Sequence, residues 1–291
     1  MTALPILVLS LEGKAMKIIL SRKGFDSENG GYPSPILPDG KMISLPIPLK
    51  DSIKYSDLKN GESTYYDLML SLKLNGGHLR DLDSETRCHL DPDIYKGTYG
   101  REPGWKPCFG QIDQAQIHLE NQKVDKNDLF LFFGWFRKTR DHNGKPKFYP
   151  KENDMHAIFG YFQIGEIEKV DQKFPVSDWM AYHPHASGER LNKATNTIYV
   201  ARDTLEWNDA LPGAARFLFN DRLVLTKKGL SKSKWNLPDS LKEAEISYHT
   251  KDSWRGDYFQ SAYKGQEFVI KDNEKVEEWA RSLIEDSKID S

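Results

Sequence analysis

A chain of 291 residues can bury roughly three quarters of its unfolded surface, so one large domain or two small ones are both affordable. With 38% hydrophobic and 12% aromatic residues it has the composition of a folded globular protein, which excludes disorder. Its 41 basic residues are outweighed by 43 acidic ones, which excludes a global basic field that would hold duplex DNA by counterion release.

Pro5 to Leu11 is apolar, but a membrane span needs about 20 such residues, and the basic region and cleavage site of a signal peptide are missing. Residues 1–15 therefore read as an N-terminal extension, and the domain is expected over residues 16–287. Two cysteines, Cys88 and Cys108, cannot form a disulfide framework and are not spaced as a zinc ribbon, which points to reduced thiols in a cytoplasmic protein.

Lys17 to Leu20 predicts a first strand, ended by Ser21-Arg22-Lys23-Gly24. The glycine- and proline-rich stretch Asn29 to Pro48 holds Tyr32, Ile36, Leu37, Ile43 and Leu45, so it predicts an ordered loop. Ser63 to Leu74 has helical apolar spacing and stops at Asn75-Gly76-Gly77. Leu129 to Phe136 and Ala157 to Val170 are nearly continuous apolar and aromatic runs around the polar turn region Lys138 to Asp154, which predicts a central hairpin buried on both faces. Short strands follow at Thr197 to Ala201, Arg222 to Thr226 and Glu267 to Lys271. Lys275 to Ile284 closes the chain as an amphipathic helix. Neither an internal repeat nor a linker divides the chain. The expected fold is α+β: a single mixed-sheet domain with a strongly aromatic central hairpin and a C-terminal helix.

Chemistry-bearing groups fall at the ends of these runs. After the first strand, Arg22 can grip a phosphate or carboxylate with its planar fork, with Lys23 and Asp26 beside it and Gly30-Gly31 following; a charged surface turn is the alternative. His89, Asp91 and Asp93, followed by Gln111, can exchange protons or hold a metal, or else form an Asp-Pro-Asp turn. His183 and His185 flank a proline and point to one side if the chain is extended. Without a carboxylate nearby they are assigned to substrate hydrogen bonding, and no metal ligand is assigned. Gln260, Ser261, Gln266 and Glu267 gather polar groups between aromatics, where Glu267 can stabilise a developing cation; an edge-strand charge is the plainer reading. Arg137, closing the aromatic run, joins the expected ligand-binding set, while Lys227, Lys228, Lys232 and Lys234 form the densest basic cluster, either a local patch for nucleic acid or a solvated loop. Arg22, His89 and Glu267 are expected to converge on one cleft.

Taken in order, Ser21-Arg22-Lys23-Gly24-Phe25-Asp26, Gly31-Tyr32-Pro33-Ser34-Pro35, Cys88-His89-Leu90-Asp91-Pro92-Asp93, Leu129 to Arg137, His183-Pro184-His185 and Gly265-Gln266-Glu267-Phe268-Val269 resemble the third type of nucleotide modification associated domain, from about Met16 to Ile284. The resemblance implies a bacterial or phage DNA-modification or anti-phage setting and a modified nucleobase or nucleotide as ligand. It implies no particular cofactor. Glu267, His89 and Asp91 are then the expected catalytic groups. Arg22, Lys23, Asp26, Gln111, Arg137, His183, His185, Gln260 and Gln266 are the expected ligand-binding ones. Two shorter resemblances offer alternatives. The runs from Asn127 and Ile158 look like the barrel strands of EVE and other PUA-like base readers, which bind without catalysis. Arg22 together with Gln266-Glu267-Phe268-Val269 looks like the arginine and glutamate of DNA-targeting ADP-ribosyltransferases, which implies NAD-linked glycosyl chemistry.

Overall fold

Runs of β-branched and aromatic residues supply most of the strands in the computed structural model, which describes residues 15–173, 176–263, 265–271 and 273–290. The expected extension lies outside the described residues apart from Ala15. In chain order, β1 (Ile18–Arg22) and β2 (Ser34–Ile36) precede α1 (Tyr65–Ser71). Strand β3 (Cys108–Gln111) leads into α2 (Asp113–Asn121). The long strands β4 (Leu129–His142) and β6 (Met155–Lys169) enclose the short β5 (Lys145–Phe148). After β7 (Thr197–Ala201) and β8 (Ala214–Phe217) come β9 (Glu267–Ile270), α3 (Glu274–Glu285) and β10 (Ile289–Asp290).

These ten strands form one sheet with the path β9-β1-β4-β6-β8-β10; β2 and β5 add to β4, β7 to β6, and β3 to β7. Strand β1 runs parallel to β4 and antiparallel to β9, so the sheet is mixed. No ladder joins β9 to β10 among the described residues, and the sheet stays open. The fold is the expected α+β arrangement with a C-terminal helix.

The central hairpin is the core. Leu129 to Phe133 on β4 are fully buried and pair with β6 in the register Phe130↔Phe162. Phe109 of β3 inserts among them, stacked on Tyr199 at 4.9 Å and edge-on to Phe130, Phe132 and Phe162 at 4.6, 5.2 and 5.1 Å. Such offset and edge geometries each contribute about 1 kcal/mol beyond burial. The glycine- and proline-rich loop is ordered as expected: Ile43 and Leu45 are buried in a second cluster with Phe25, Tyr55 and the buried face of α1. A reciprocal cap starts α1, with Asp67 N–H donating to Thr64 Oγ1 (3.1 Å) and Thr64 N–H to Asp67 (3.0 Å). Helix α3 buries Val276, Ala280, Leu283 and Ile284. Both cysteines are free and buried. Among the described residues no helix is long and apolar enough to cross a membrane.

Strands β2, β3, β8 and β10 add to those expected, and three further elements depart from expectation. The polar region after Lys138 is not one turn: β4 continues to His142 and folds back into β5 through Asn143-Gly144, both at positive φ. A two-residue turn of that kind matches strand twist, and its charged, solvent-facing strands carry no apolar pattern. Arg222 to Thr226 is not a strand. Asn220 caps a single 3₁₀ turn at Asp221–Leu223, after which Val224 and Thr226 make isolated bridges. Helix α2 went unforeseen because just Gln116 and Leu119 on it are buried, so it has no apolar stripe to read.

Truncating Phe109 to alanine should cost about 3–5 kcal/mol of unfolding free energy, since four aromatic neighbours lose their shared partner. Urea unfolding of the Phe109→Ala chain measures this; a loss below 1 kcal/mol would mean the ring is not the keystone of the aromatic cluster.

Candidate functional site

A cleft of about 590 Å³ opens where β1 and β3 end and β9 begins, walled by the segments that carry Asp26, His89, His185, Arg190 and Lys232. The ladder sets its floor. Ser21 pairs with Glu267 across β1 and β9 and with Phe132 across β1 and β4, and the Lys23 amide donates to Phe133 O at 2.9 Å. Lys23 Nζ thereby lies 3.3 Å from Glu267 Oε1 and 3.9 Å from Asp91 Oδ2. Gln111, ending β3, donates its amide to Glu267 Oε1, while Glu267 Oε2 is buried without a hydrogen-bond partner. A buried carboxylate with one unpaired oxygen is costly to keep.

Asp91 is the second buried carboxylate. Its Oδ1 accepts the Gly110 amide at 2.7 Å and lies 3.5 Å from His183 Nε2; its Oδ2 faces His89 Nε2 at 3.9 Å as well as Lys23. Burial raises the Asp91 carboxyl, but the His183 contact, then Lys23 and the neighbouring imidazoles outweigh it and hold the group far below the usual carboxylate range.

The surrounding partners settle which ring nitrogen carries each proton. His89 Nδ1 lies 2.7 Å from Asp51 Oδ2, so Nδ1 donates and Nε2 is turned to Asp91. Asn196 Nδ2 donates to Val170 O and His185 O, which leaves Asn196 Oδ1 to accept from His185 Nδ1 at 2.8 Å. His185 therefore presents the lone pair of Nε2. His183 Nδ1 accepts the His185 amide, so its proton is on Nε2, beside Asp91, though the 3.5 Å separation is off hydrogen-bond alignment. Gly110 makes room for all this: a Cβ there would meet the His185 ring at 2.3 Å. Arg190 braces the cluster, donating to Asp51 Oδ1 (2.6 Å) and Pro184 O (3.2 Å). Burial raises the Asp51 carboxyl, yet hydrogen bonds from His89 and Arg190 bring it below its ordinary value.

The opposite wall is cationic. The Arg22 guanidinium donates to Tyr263 O (3.0 Å) and Ala262 O (2.8 Å), and Lys232 Nζ stands 3.4 Å above the Trp135 ring. Neither forms an ion pair among the described residues. Burial lowers both; Asp26 opposes it at Arg22, and at Lys232 Asp154 opposes it while Arg22 adds to it by repulsion.

A family model described as nucleotide modification associated domain 3 matches residues 17–271, which include every residue of this cleft. The chain belongs to that family. Comparison with curated proteins and with solved structures gives no match.

Within the family's span, the structure brings Arg22, Lys23, Asp26, His89, Asp91, Gln111, His185 and Gln266 to one cleft, with Glu267 beneath its floor. Three expected ligand-binding side chains lie elsewhere. Arg137 is paired with Asp154 at 2.6 Å. Gln260 donates to Ser233 from a small separate sheet. His183 is fully buried behind Asp91, because its ring supports that carboxylate. Asp93, too, turns away, forming a two-bonded pair with Arg101 (2.5 and 2.6 Å). Lys232, of the basic cluster, faces the cleft. Trp135, one of the aromatic run that could offer a stacking ring, lines the cleft, whereas Asp51, Arg190 and Asn196 were not foreseen; they stand alone in polar stretches without a motif.

Replacing Gly110 with alanine should displace His185, costing about 1–3 kcal/mol through overpacking and shifting the His185 ring resonances in NMR spectra. Unchanged His185 resonances in the Gly110→Ala chain would contradict the fit. Stability should also fall with acid. Burial pushes His185 down to about 3 and holds His156 well below its ordinary range. Unfolded histidines take a proton near about pH 6.5, so between roughly pH 6.5 and the folded values the unfolded state binds more protons. Each histidine then removes about 1.4 kcal/mol per pH unit as pH falls. Urea midpoints at pH 7 and 5.5 should drop accordingly and the slope should be shallower in His156→Gln; an equal slope would show that His156 is not held neutral.

Proposed function

We propose that this protein is an enzyme acting on a nucleotide or modified nucleobase in a DNA-modification setting. The anionic group of the ligand sits at Arg22 and Lys232, and its reacting base lies toward Lys23, Glu267 and Asp91. The observation that carries this reading is the pair of half-buried cations, Arg22 and Lys232, that share one cleft with no salt bridge to either among the described residues, Asp26 and Asp154 acting on them only from further off. Two desolvated like charges raise each other's energy, and an incoming phosphate relieves both. Trp135, under Lys232, offers a ring for stacking.

Catalysis is favoured over reading by the cleft floor. A reader of modified bases needs an anion grip and a stacking ring, but not two carboxylates desolvated beside a lysine, whose burial costs several kcal/mol per ion. Such groups are what proton transfer requires. The EVE-like reading is also weakened because among the described residues the sheet does not close into a barrel. The NAD-linked reading keeps Arg22 and Glu267 in the same place and differs in ligand, since NAD brings its own phosphates. With 41 basic residues against 43 acidic, contact with nucleic acid runs through a single-stranded or flipped nucleotide and not through the duplex backbone.

A binding and turnover screen against modified and unmodified DNA, free nucleotides and NAD tests this. Arg22→Ala and Lys232→Ala should each weaken ligand binding about tenfold or more. Glu267→Gln should keep affinity while turnover falls by about two orders of magnitude or more. Equal product from Glu267→Gln would remove Glu267 from catalysis, and tight binding without turnover of any class would make the protein a reader.

A further inference from the structure

We infer that His89, Asp91 and His185 bind a divalent first-row transition-metal ion on the floor of the cleft. One donor atom from each lies within 4.8 Å of the other two. What singles the trio out is that all three facing atoms are acceptors. The Asp51 contact puts the His89 proton on Nδ1, and the oriented Asn196 amide does the same for His185, so both Nε2 lone pairs are left for the cleft side. Asp91 adds Oδ2, its other oxygen being taken by the Gly110 amide. Three converging acceptors repel one another unless a cation lies between them. Lys23 Nζ approaches Asp91 at 3.9 Å but is closer to Glu267, at 3.3 Å, so an ion at Asp91 disturbs one long ion pair at most.

The outer partners are those a ligated imidazole needs. A carboxylate on the distal nitrogen of one histidine and a side-chain amide on the other fix tautomer and ring direction, as metal-bound histidines require. Asp51 is itself held by Arg190 at 2.6 Å, and the Asn196 amide is anchored at 2.8 and 3.1 Å. Donors about 2.1 Å from a tetrahedral ion stand about 3.4 Å apart, so small side-chain rotations close the present spacing. Two imidazoles and one carboxylate suit zinc, iron, cobalt or nickel, leave positions open for water or substrate, and disfavour magnesium and calcium, which prefer all-oxygen shells. This site adds a cofactor to the cleft of the proposed enzyme but does not require its ligand to be a nucleotide.

Chelator-treated protein, with no nucleotide present, is titrated with Co²⁺ by visible absorption and with Zn²⁺ and Mg²⁺ by calorimetry. One equivalent of Co²⁺ and of Zn²⁺ should bind, and Mg²⁺ should not. His89→Ala and His185→Ala should weaken Zn²⁺ binding by about a hundredfold or more, and Asp51→Asn by about ten- to a hundredfold. Should a variant fail to fold, Zn²⁺ should still raise the melting temperature of the unaltered chain and protect His89 and His185 from diethyl pyrocarbonate. Failure of the unaltered chain to take up Co²⁺ or Zn²⁺ stoichiometrically, equal binding by both folded histidine variants, or unprotected His89 and His185 would overturn the site. Metal uptake with no binding of any nucleotide would sink the enzyme reading and leave the metal site standing; the reverse result would do the opposite.

Discussion

A carboxylate buried as deeply as Asp91 has to be compensated, and much of the molecule is arranged around that need. Its side chain is 4% exposed, and an isolated charge in such a place would cost several kcal/mol. Compensation arrives from three separated segments, the Gly110 amide near the end of its strand, Lys23 after the first strand and His183 at the start of a 3₁₀ turn, and from His89 two residues earlier in the same loop. The Gly110 and Lys23 contacts tie this loop to the sheet and the His183 contact ties it to a 3₁₀ turn, so one buried charge helps organise the cleft that surrounds it.

The sheet supplies the rigidity this requires. With Ser21 opposite both Glu267 and Phe132, the ladder defines where Lys23 emerges and on which face Glu267 lies. A one-residue slip would turn Glu267 to the other face and leave Lys23 facing Asp91 alone. Slippage of the neighbouring ladder is opposed by the close packing of Phe130, Phe132, Phe133 and Phe162, all fully buried between β4 and β6. The aromatic hairpin is thus the support of the site, and Trp135 is the ring of that run that reaches the cleft.

The cleft has two chemically distinct ends. One gathers positive charge at Arg22 and Lys232, with no salt bridge to either among the described residues. The other gathers oriented acceptors at His89, Asp91 and His185, with the Lys23–Glu267 pair linking it to the sheet. His156 remains neutral beside the cationic end because burial opposes its charge first, and the neighbouring Arg22 and Lys232 oppose it further. A ligand with an anionic group at one end and a polar reactive group at the other matches this polarity.

The elements whose residues pattern locally could be read from the chain. Continuous apolar runs at Leu129 and Ala157, a β-branched first strand and the amphipathic Val276, Ala280, Leu283 and Ile284 carry their burial in their own spacing, and the charged ends of those runs marked Arg22, Lys23, His89, Asp91 and Glu267. The polar β5 hairpin and helix α2 lack such spacing and were illegible. Which histidine serves the cleft was likewise beyond the sequence. His183 and His185 are alike in type and two residues apart, yet the fold buries one against Asp91 and aims the other into the cleft with Asn196 behind it. Asp51, 38 residues from His89, becomes its partner only when two loops meet. Periodicity records what a segment must bury, because burial is decided residue by residue along an element. A site of buried charges depends on distances between segments far apart in sequence, and those exist only once the sheet has fixed the register of its strands.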